Sequence, residues 1–386
     1  MNKKFLIVFI LIQCVFSSIC FGQEVMNLVD PFTKENTIYI RTETFGDGTK
    51  MTLQKCDGVI YIQNKGNFYK RQFSGPINIK WFGAKGDGNI NDIGTDDSQA
   101  IKKALKVISE IYKPQQMSGG SLFGGFVLYF PAGIYLVNET FVLPDGISIE
   151  GDSYVNTLIH TKQPRFLFTN IRGMSKNGID VLMSTDISIK NLTLKQGGVE
   201  LQGAANSVIQ NVRIMNLFGG EKTDTGLSIK LPVNLRIKDV KIFSSTGVGI
   251  KYEDTAGTGP STSTTFDHVW VSHCKLGMLV NGNTGGSHGI LTSRIYNSIF
   301  EYNETGIDIK GNIENFVMRD IHLEQNKNAI NISGDVNMVM ENIWSDKGNI
   351  NMKNSNKNKN TNAVYLKNVN LPQVIEKSYQ GKIINN

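Results

Sequence analysis

Ile189-Lys190-Asn191-Leu192-Thr193-Leu194 is one copy of a phrase that recurs through residues 187–371: apolar, variable, Asn or Asp, then apolar, variable, apolar. Further copies are Ile209-Gln210-Asn211-Val212-Arg213-Ile214, Ile237-Lys238-Asp239-Val240-Lys241-Ile242 and Phe266-Asp267-His268-Val269-Trp270-Val271, the last with His as its anchor. Ile295-Tyr296-Asn297-Ser298-Ile299-Phe300 and Met318-Arg319-Asp320-Ile321-His322-Leu323 follow, with weaker copies around Asn342 and Asn368. The polar anchors stand 20, 28, 29, 29, 23, 22 and 26 residues apart. A repeat of that length signals a solenoid, and the alternation inside each copy has the period of a strand rather than a helix.

Aligned on the anchors, the copies become columns. The position two before the anchor is always apolar, and so are those one and three after it, except at Ser298 and Ser345. These positions point inward and stack coil on coil. The anchor suits a tight corner, because Asn and Asp tolerate a left-handed backbone and bond locally. Stacked Asn side chains can also ladder along the axis. A third strand follows a small residue in several coils: Gly226-Leu227-Ser228-Ile229, Gly277-Met278-Leu279-Val280, Gly306-Ile307-Asp308-Ile309 and Ala329-Ile330-Asn331-Ile332.

The 386-residue chain has a formal charge of +6. Its start reads as a secretory signal over 1–22: Lys3 and Lys4, an apolar run from Phe5 to Ile12, and small residues before Gln23. That run is too short to span a bilayer, and no other segment is apolar enough to do so. A lipid anchor on Cys20 is the less favoured reading, since bulky Ile19 precedes it. Loss of the two leader lysines takes the charge from +6 to +4. With no Lys/Arg block, nothing marks a nucleic-acid partner. Cys56 and Cys274 remain, too few for a disulfide framework or a zinc cluster, and whether they pair is left open.

Residues 23–75 form a small β module, with strands over 37–41 and 58–62 around the turn Gly46-Asp47-Gly48. Its size suits a cap or an oligomerisation piece, because open solenoid ends need covering. Next comes Trp81-Phe82-Gly83-Ala84-Lys85-Gly86-Asp87-Gly88, then Thr95-Asp96-Asp97-Ser98-Gln99-Ala100-Ile101. Thr95 to Asp97 supply capping oxygens. Ile101, Leu105, Ile108 and Ile111 or Tyr112 trace one apolar helical face, ended before Pro114. Gly125 to Tyr135 then reads as strand, Pro/Gly turn, strand. Asp87, Asp96 and Asp97 are read as a turn and a helix cap in preference to a metal site.

This block resembles the N-terminal signature of the pectate-lyase superfamily, the rhamnogalacturonase and epimerase-like type shared with phage tailspikes. The resemblance is specific over about 78–151 and fits the repeats to about 370. It implies an all-β, right-handed parallel β-helix of three strands per coil over 76–371, with an N-terminal capping helix. It also implies a polysaccharide substrate, no obligatory cofactor, and a homo-oligomer, trimeric as in tailspike-like relatives. Calcium finds no supporting ligand cluster. Beyond the polar run 351–360, residues 372–386 are expected to be a tail.

Chemistry on a solenoid belongs to outward columns. Two positions after the anchors stand Thr193, Arg213, Lys241, Trp270, Ile299, His322, Trp344 and Asn370; four after stand Glu301, Glu324 and Asp346 in successive copies. Coils rise by about one strand spacing, roughly 4.8 Å. Glycosidic cleavage uses one protonated and one ionised carboxyl, and neighbouring like charges separate their pKa values. Aromatic rings beside them suit the apolar faces of sugars. Glu301 and Glu324 are therefore the first candidates for acid and base or nucleophile, with Asp308 and Asp346 in reserve and Trp270 and Trp344 as platforms. For β-elimination, the bases at hand are His322, Lys310 and Tyr302. A turn role for the two glutamates, as copies of one repeat phrase, weighs about equally.

A second candidate face is the third strand, whose outward column runs Glu200, Ser228, Lys251, Leu279, Asp308, Asn331 and Asn351. Asp308 with Lys310, and Lys251 with Glu253, would suit an acidic sugar. In related lyases and galacturonases the substrate cleft lies along the corresponding sheet. Departures from named subfamilies narrow the resemblance. Only Gly286-Ser287-His288-Gly289-Ile290 approaches a polygalacturonase signature, with His288 a minor catalytic candidate in an excursion over 281–293. The aspartate cluster of calcium-dependent pectate cleavage and the epimerase catalytic string are missing. The expected function is secreted cleavage of a polysaccharide, hydrolysis ahead of elimination, against a non-catalytic glycan-binding β-helix.

Overall fold

The computed structural model describes residues 24–112, 115–116, 122–123, 125–171, 184–217, 224–254, 261–282, 289–353, 363–370, 374–376 and 382–385. The leader with Cys20, and His288, lie outside the described residues. The chain divides into two compact units, Met1–Gly75 and Pro76–Asn386.

The first unit is an antiparallel sheet of β1 (Val25–Val29), β2 (Asn36–Arg41), β3 (Tyr61–Asn64) and β4 (Asn67–Arg71), in the order β1-β2-β4-β3. Tyr39, Met51, Ile60, Tyr61 and Tyr69 fill its interior. One charged pair is buried with them. Arg71 donates to Asp30 at 2.6 Å, the two side chains 4% and 1% exposed. Asp30 also accepts the amides of Phe32 and Thr33. The sequence pattern located β2 and the approach to β3; it missed β1 and β4, neither of which alternates apolar with polar residues.

The second unit opens with a short 3-10 turn, Ile79–Phe82, and one helix, α1 (Ser98–Ile111). Ile101, Leu105, Ile108 and Ile111 are buried as expected, joined by Ala104 and Val107. The three aspartates divide the local work. Asp97 turns back to accept the amides of Lys85 and Gly86, whereas Asp96 accepts from Ser98 at the start of α1. Asp87 holds Thr95 by amide and hydroxyl. All three therefore serve the turn and the helix start.

From Gly125 onward the chain is a right-handed parallel β-helix with strictly parallel pairing. The anchor columns are in register: Ile189, Ile209, Ile237, Phe266, Ile295, Met318, Met340 and Leu366 succeed one another through paired strands. All but Leu366 are completely buried. Every anchor is left-handed, with φ from 50° at Asn297 to 58° at Asn191. Two further left-handed columns frame it. Five residues before the anchor stand Asp186, Asn206, Asn234, Ser263, Thr292 and Asn315; five after stand Gln196, Ser244, His273, Tyr302 and Gln325. Each corner turns the chain by one residue, so hydrogen bonding runs on to the next face.

The corners are also laddered. Asn211 donates its side-chain amide to Asn191 at 2.8 Å, Asn342 to Asp320 at 2.8 Å and Asn368 to Asn342 at 2.9 Å. Asn211→Val should destabilise the coils by about 1–2 kcal/mol in denaturant unfolding, because a β-branched residue resists the left-handed well. Asn211→Gly should cost less. Equal effects of the two substitutions would contradict a conformational role for the anchor.

The apolar rule is broken where side chains take over backbone bonding. Ser298 is buried and accepts the Val269 amide at 3.2 Å. Asn303 and Asn326, also buried, form an internal ladder: Asn303 accepts from the Cys274 amide, and Asn326 accepts from the Asn303 amide, each at 2.9 Å. Small residues open the third strand because a Cβ on Gly306 would lie 2.6 Å from the Ala329 carbonyl. Cys56 and Cys274 are free thiols, the latter buried with its pKa pushed up to about 12. Parallel pairing is also present in described stretches beyond residue 371. Val374–Glu376 and Lys382–Asn385 pair in parallel with Ile350–Lys353 and Ala363–Asn370, so coil formation continues past 371.

Candidate functional site

The candidate residues fall on two faces separated by the corner that Tyr302 and Gln325 form. On the second-strand face, Trp270, Ile299, His322 and Trp344 are in direct register. So are Ser272, Glu301 and Glu324 in the neighbouring column. Glu301 and Glu324 thus stand one strand spacing apart, as the alignment predicted. Each carboxylate already has a partner. The Trp270 indole N–H donates to Glu301 Oε1 at 2.9 Å, and His322 Nε2 lies 3.2 Å from Glu324 Oε2. Trp270 is further boxed by the edge of Phe243 and the Lys241 ammonium, 5.2 Å from the ring centroid. His322 packs against Trp344 at 4.4 Å between centroids.

Asp346 does not join this row. The strand ends at Ser345, Gly348 reverses the chain at φ 86°, and the Asp346 carboxylate accepts the Gln325 amide at 2.9 Å. There it caps an exposed corner. Tyr302, half exposed and itself at a left-handed corner, stacks on His273 at 5.1 Å rather than facing the glutamates.

The third-strand face divides differently. Glu200, Ser228, Lys251, Leu279, Asp308, Asn331 and Asn351 form one unbroken register. In its upper coils the charges pair off: Lys230 with Glu200 at 3.1 Å, and Lys251 with Glu253 at 2.9 Å. Buried Leu279 then separates Lys251 from Asp308. Below it, Asp308 borders a cavity of about 380 Å³ lined by Asn328, Asn331, Ser333, Asn351 and Lys353 with the edges of Ile332 and Met352.

Burial raises the Asp308 carboxyl above its ordinary pKa, and the Lys310 ammonium two residues on only partly offsets this. A half-buried acid held toward its neutral form, in a polar cleft with lysines at hand, is the arrangement that proton transfer needs. Lys310 aligns with Ser333 and then Lys353, so cations flank the carboxyl along the next column. The sequence column contained Asn331 and Asn351 without marking them. Asn328 was missed because it is the first residue of its strand, Asn328–Ser333, outside the aligned columns, and only the folded coil shows that it faces the cleft.

Among the described residues no group of three or more His, Cys, Asp or Glu is placed to hold a metal ion. No described helix is long and apolar enough to cross a membrane.

Continuous parallel coils with three corners and a capping helix define the class: a single-stranded right-handed β-helix. The chain belongs to the family described as rhamnogalacturonase A/epimerase, pectate lyase-like, whose model matches residues 76–308. Among curated proteins it is similar to the preneck appendage proteins of Bacillus phages PZA and phi29. Each is 23% identical over 208 residues, 52% of this chain and 20% of the relative. The chain therefore spans about a fifth of the length of those relatives. Among solved structures, the Acinetobacter baumannii phage AM24 tailspike protein superposes with a TM-score of 0.55 at 14% identity, over 94% of this chain and 63% of that one. The enzymatically active domain of bacteriophage CBA120 tailspike protein 2 gives 0.54 at 14%, over 95% and 54%. These structural likenesses concern the fold.

Proposed function

We propose that this protein is an exported enzyme that cleaves glycosidic bonds of an acidic polysaccharide in the third-strand cleft, with the Asp308 carboxyl donating the proton to the leaving oxygen. The observation that carries this reading is the partly buried Asp308 carboxyl, raised in pKa and bordering the 380 Å³ cavity. Membership of a family named for rhamnogalacturonase and epimerase supports a glycan as the substrate. Lys310 and Lys353 supply positive charge for a uronate carboxylate, while Asn331, Asn351 and Ser333 offer hydrogen bonds to sugar hydroxyls.

A second reading places the chemistry at Glu301 and Glu324. It is favoured by their in-register adjacency, since one strand spacing is close to the roughly 5 Å carboxyl separation of retaining glycosidases. Incubation with a panel of acidic and neutral polysaccharides tests the proposal. New reducing ends without unsaturated sugar identify hydrolysis, the unsaturated ultraviolet chromophore identifies elimination, and binding without products identifies a glycan-binding β-helix. Cleavage that survives Glu301→Gln and Glu324→Gln but not Asp308→Asn supports the first reading. The reverse pattern supports the second.

A further inference from the structure

The second-strand face carries a column that the Asp308 cleft does not use. Through consecutive coils it presents Arg213, Lys241, Trp270, Ile299, His322 and Trp344, all in register and none fully buried. Its members are held rather than free. Arg213 lies 4.7 Å from the Tyr154 ring centroid, Lys241 lies 5.2 Å from that of Trp270, and His322 packs on Trp344. From Trp270 to Trp344 is three strand spacings, about 14 Å. None of these side chains lines the Asp308 cleft.

We infer that this column is a second glycan-binding surface, which holds an extended acidic polysaccharide chain along the solenoid, and that Glu301 and Glu324 are positioning residues for its aromatic rings. The occupant follows from the composition of the face. Two indole rings about 14 Å apart suit the C–H faces of two sugars of one extended chain. Arg213 and Lys241, at the end of the column away from Trp344, supply the complement for carboxylates borne by the same chain. A linear repeating polymer matches a linear repeating surface. Glu301 acts on the sugar only through Trp270, whose N–H it accepts at 2.9 Å and whose ring orientation that bond fixes. Glu324 stands in the same relation to His322 and, through it, to Trp344.

Affinity electrophoresis of the full chain in gels containing polygalacturonate, alginate or neutral dextran tests this directly. Tryptophan fluorescence gives an independent readout, since two of the three tryptophans lie on this face. Trp344→Ala and Trp270→Ala should each weaken retention on the acidic glycans by about tenfold, the scale of one well-placed aromatic contact. Asp308→Asn serves as the cleft control: retention lost in it and kept in both tryptophan variants would assign binding to the cleft and overturn this surface. A positioning role makes a further demand. Glu301→Gln keeps an acceptor for the indole and should bind like the parent, whereas Glu301→Ala and Trp270→Phe should lose affinity alike. Retention unchanged in both tryptophan variants would overturn the surface. A change in sedimentation with unchanged retention would also overturn it and mark the face as an interface between copies. Loss of cleavage with full retention in Glu301→Gln would overturn the positioning role.

Discussion

Asp308→Asn should lower the rate of polysaccharide cleavage by about 10² to 10⁴, the range for loss of a positioned general acid, with KM little changed. The asparagine fills the same volume and can still meet Lys310, so the loss would report the proton. The pH profile adds a sign. Because burial holds the native carboxyl above its ordinary value, activity should fall on the alkaline side as the proton leaves. Stability should move the same way. In the unfolded chain the carboxyl ionises at its ordinary, lower pKa, so the native state binds more protons between the two values and loses stability as pH rises through that window. The variant should accordingly be more resistant to denaturant than its parent at neutral pH, with the difference vanishing in acid below the unfolded value. An inactive variant of unchanged stability at both pH values would show that the carboxyl is not strained in the native state.

Arg71→Met should destabilise the N-terminal sheet by about 3–5 kcal/mol, because it leaves the Asp30 carboxylate buried without its cation. Burial works against the charged form of Asp30, but the Thr33 amide, the Arg71 guanidinium and the Phe32 amide outweigh it, and the net pKa is lowered. A lowered carboxylate contributes stability that is present above the unfolded value, about 3.9, and lost as pH falls through the native one. Amide hydrogen exchange in the full chain should show β1 to β4 losing protection while the coils keep theirs. Replacing both partners, Asp30→Asn with Arg71→Met, should recover part of the loss. A single variant as protected as its parent would show that the pair contributes nothing.

The coils were legible in the sequence because a strand period of two, broken by one left-handed corner per copy, leaves the same apolar letters at the same offsets. Register followed at once: the column from Glu200 to Asn351 was readable residue by residue. The other two corner columns were not, because Gln196, His273, Tyr302 and Gln325 share a backbone conformation without sharing a chemistry. Side-chain direction was equally hidden. Alignment put Asp346 beside Glu324, yet the end of its strand turned it to the Gln325 amide. Nor could letters show that the Trp270 indole bonds to Glu301, or that Asn328 comes round to face Asp308. Both depend on contacts between coils, across twenty residues or more.

The three corner columns act as a ruler. In the first six coils a corner sits five residues before each anchor, and in five of the six a second sits five residues after it, so two of the three faces have a fixed length there. Where both corners are in place, the variation in anchor spacing, from 20 to 29 residues, therefore collects in the stretch containing the third strand. Length is editable along that one margin alone. The chain can lengthen there, beside the Asp308 cleft, without shifting a single inward residue. An unstructured segment grafted after the third strand should leave the unfolding midpoint near that of the parent, whereas one residue inserted between an anchor and its neighbouring corner should turn a whole face inside out.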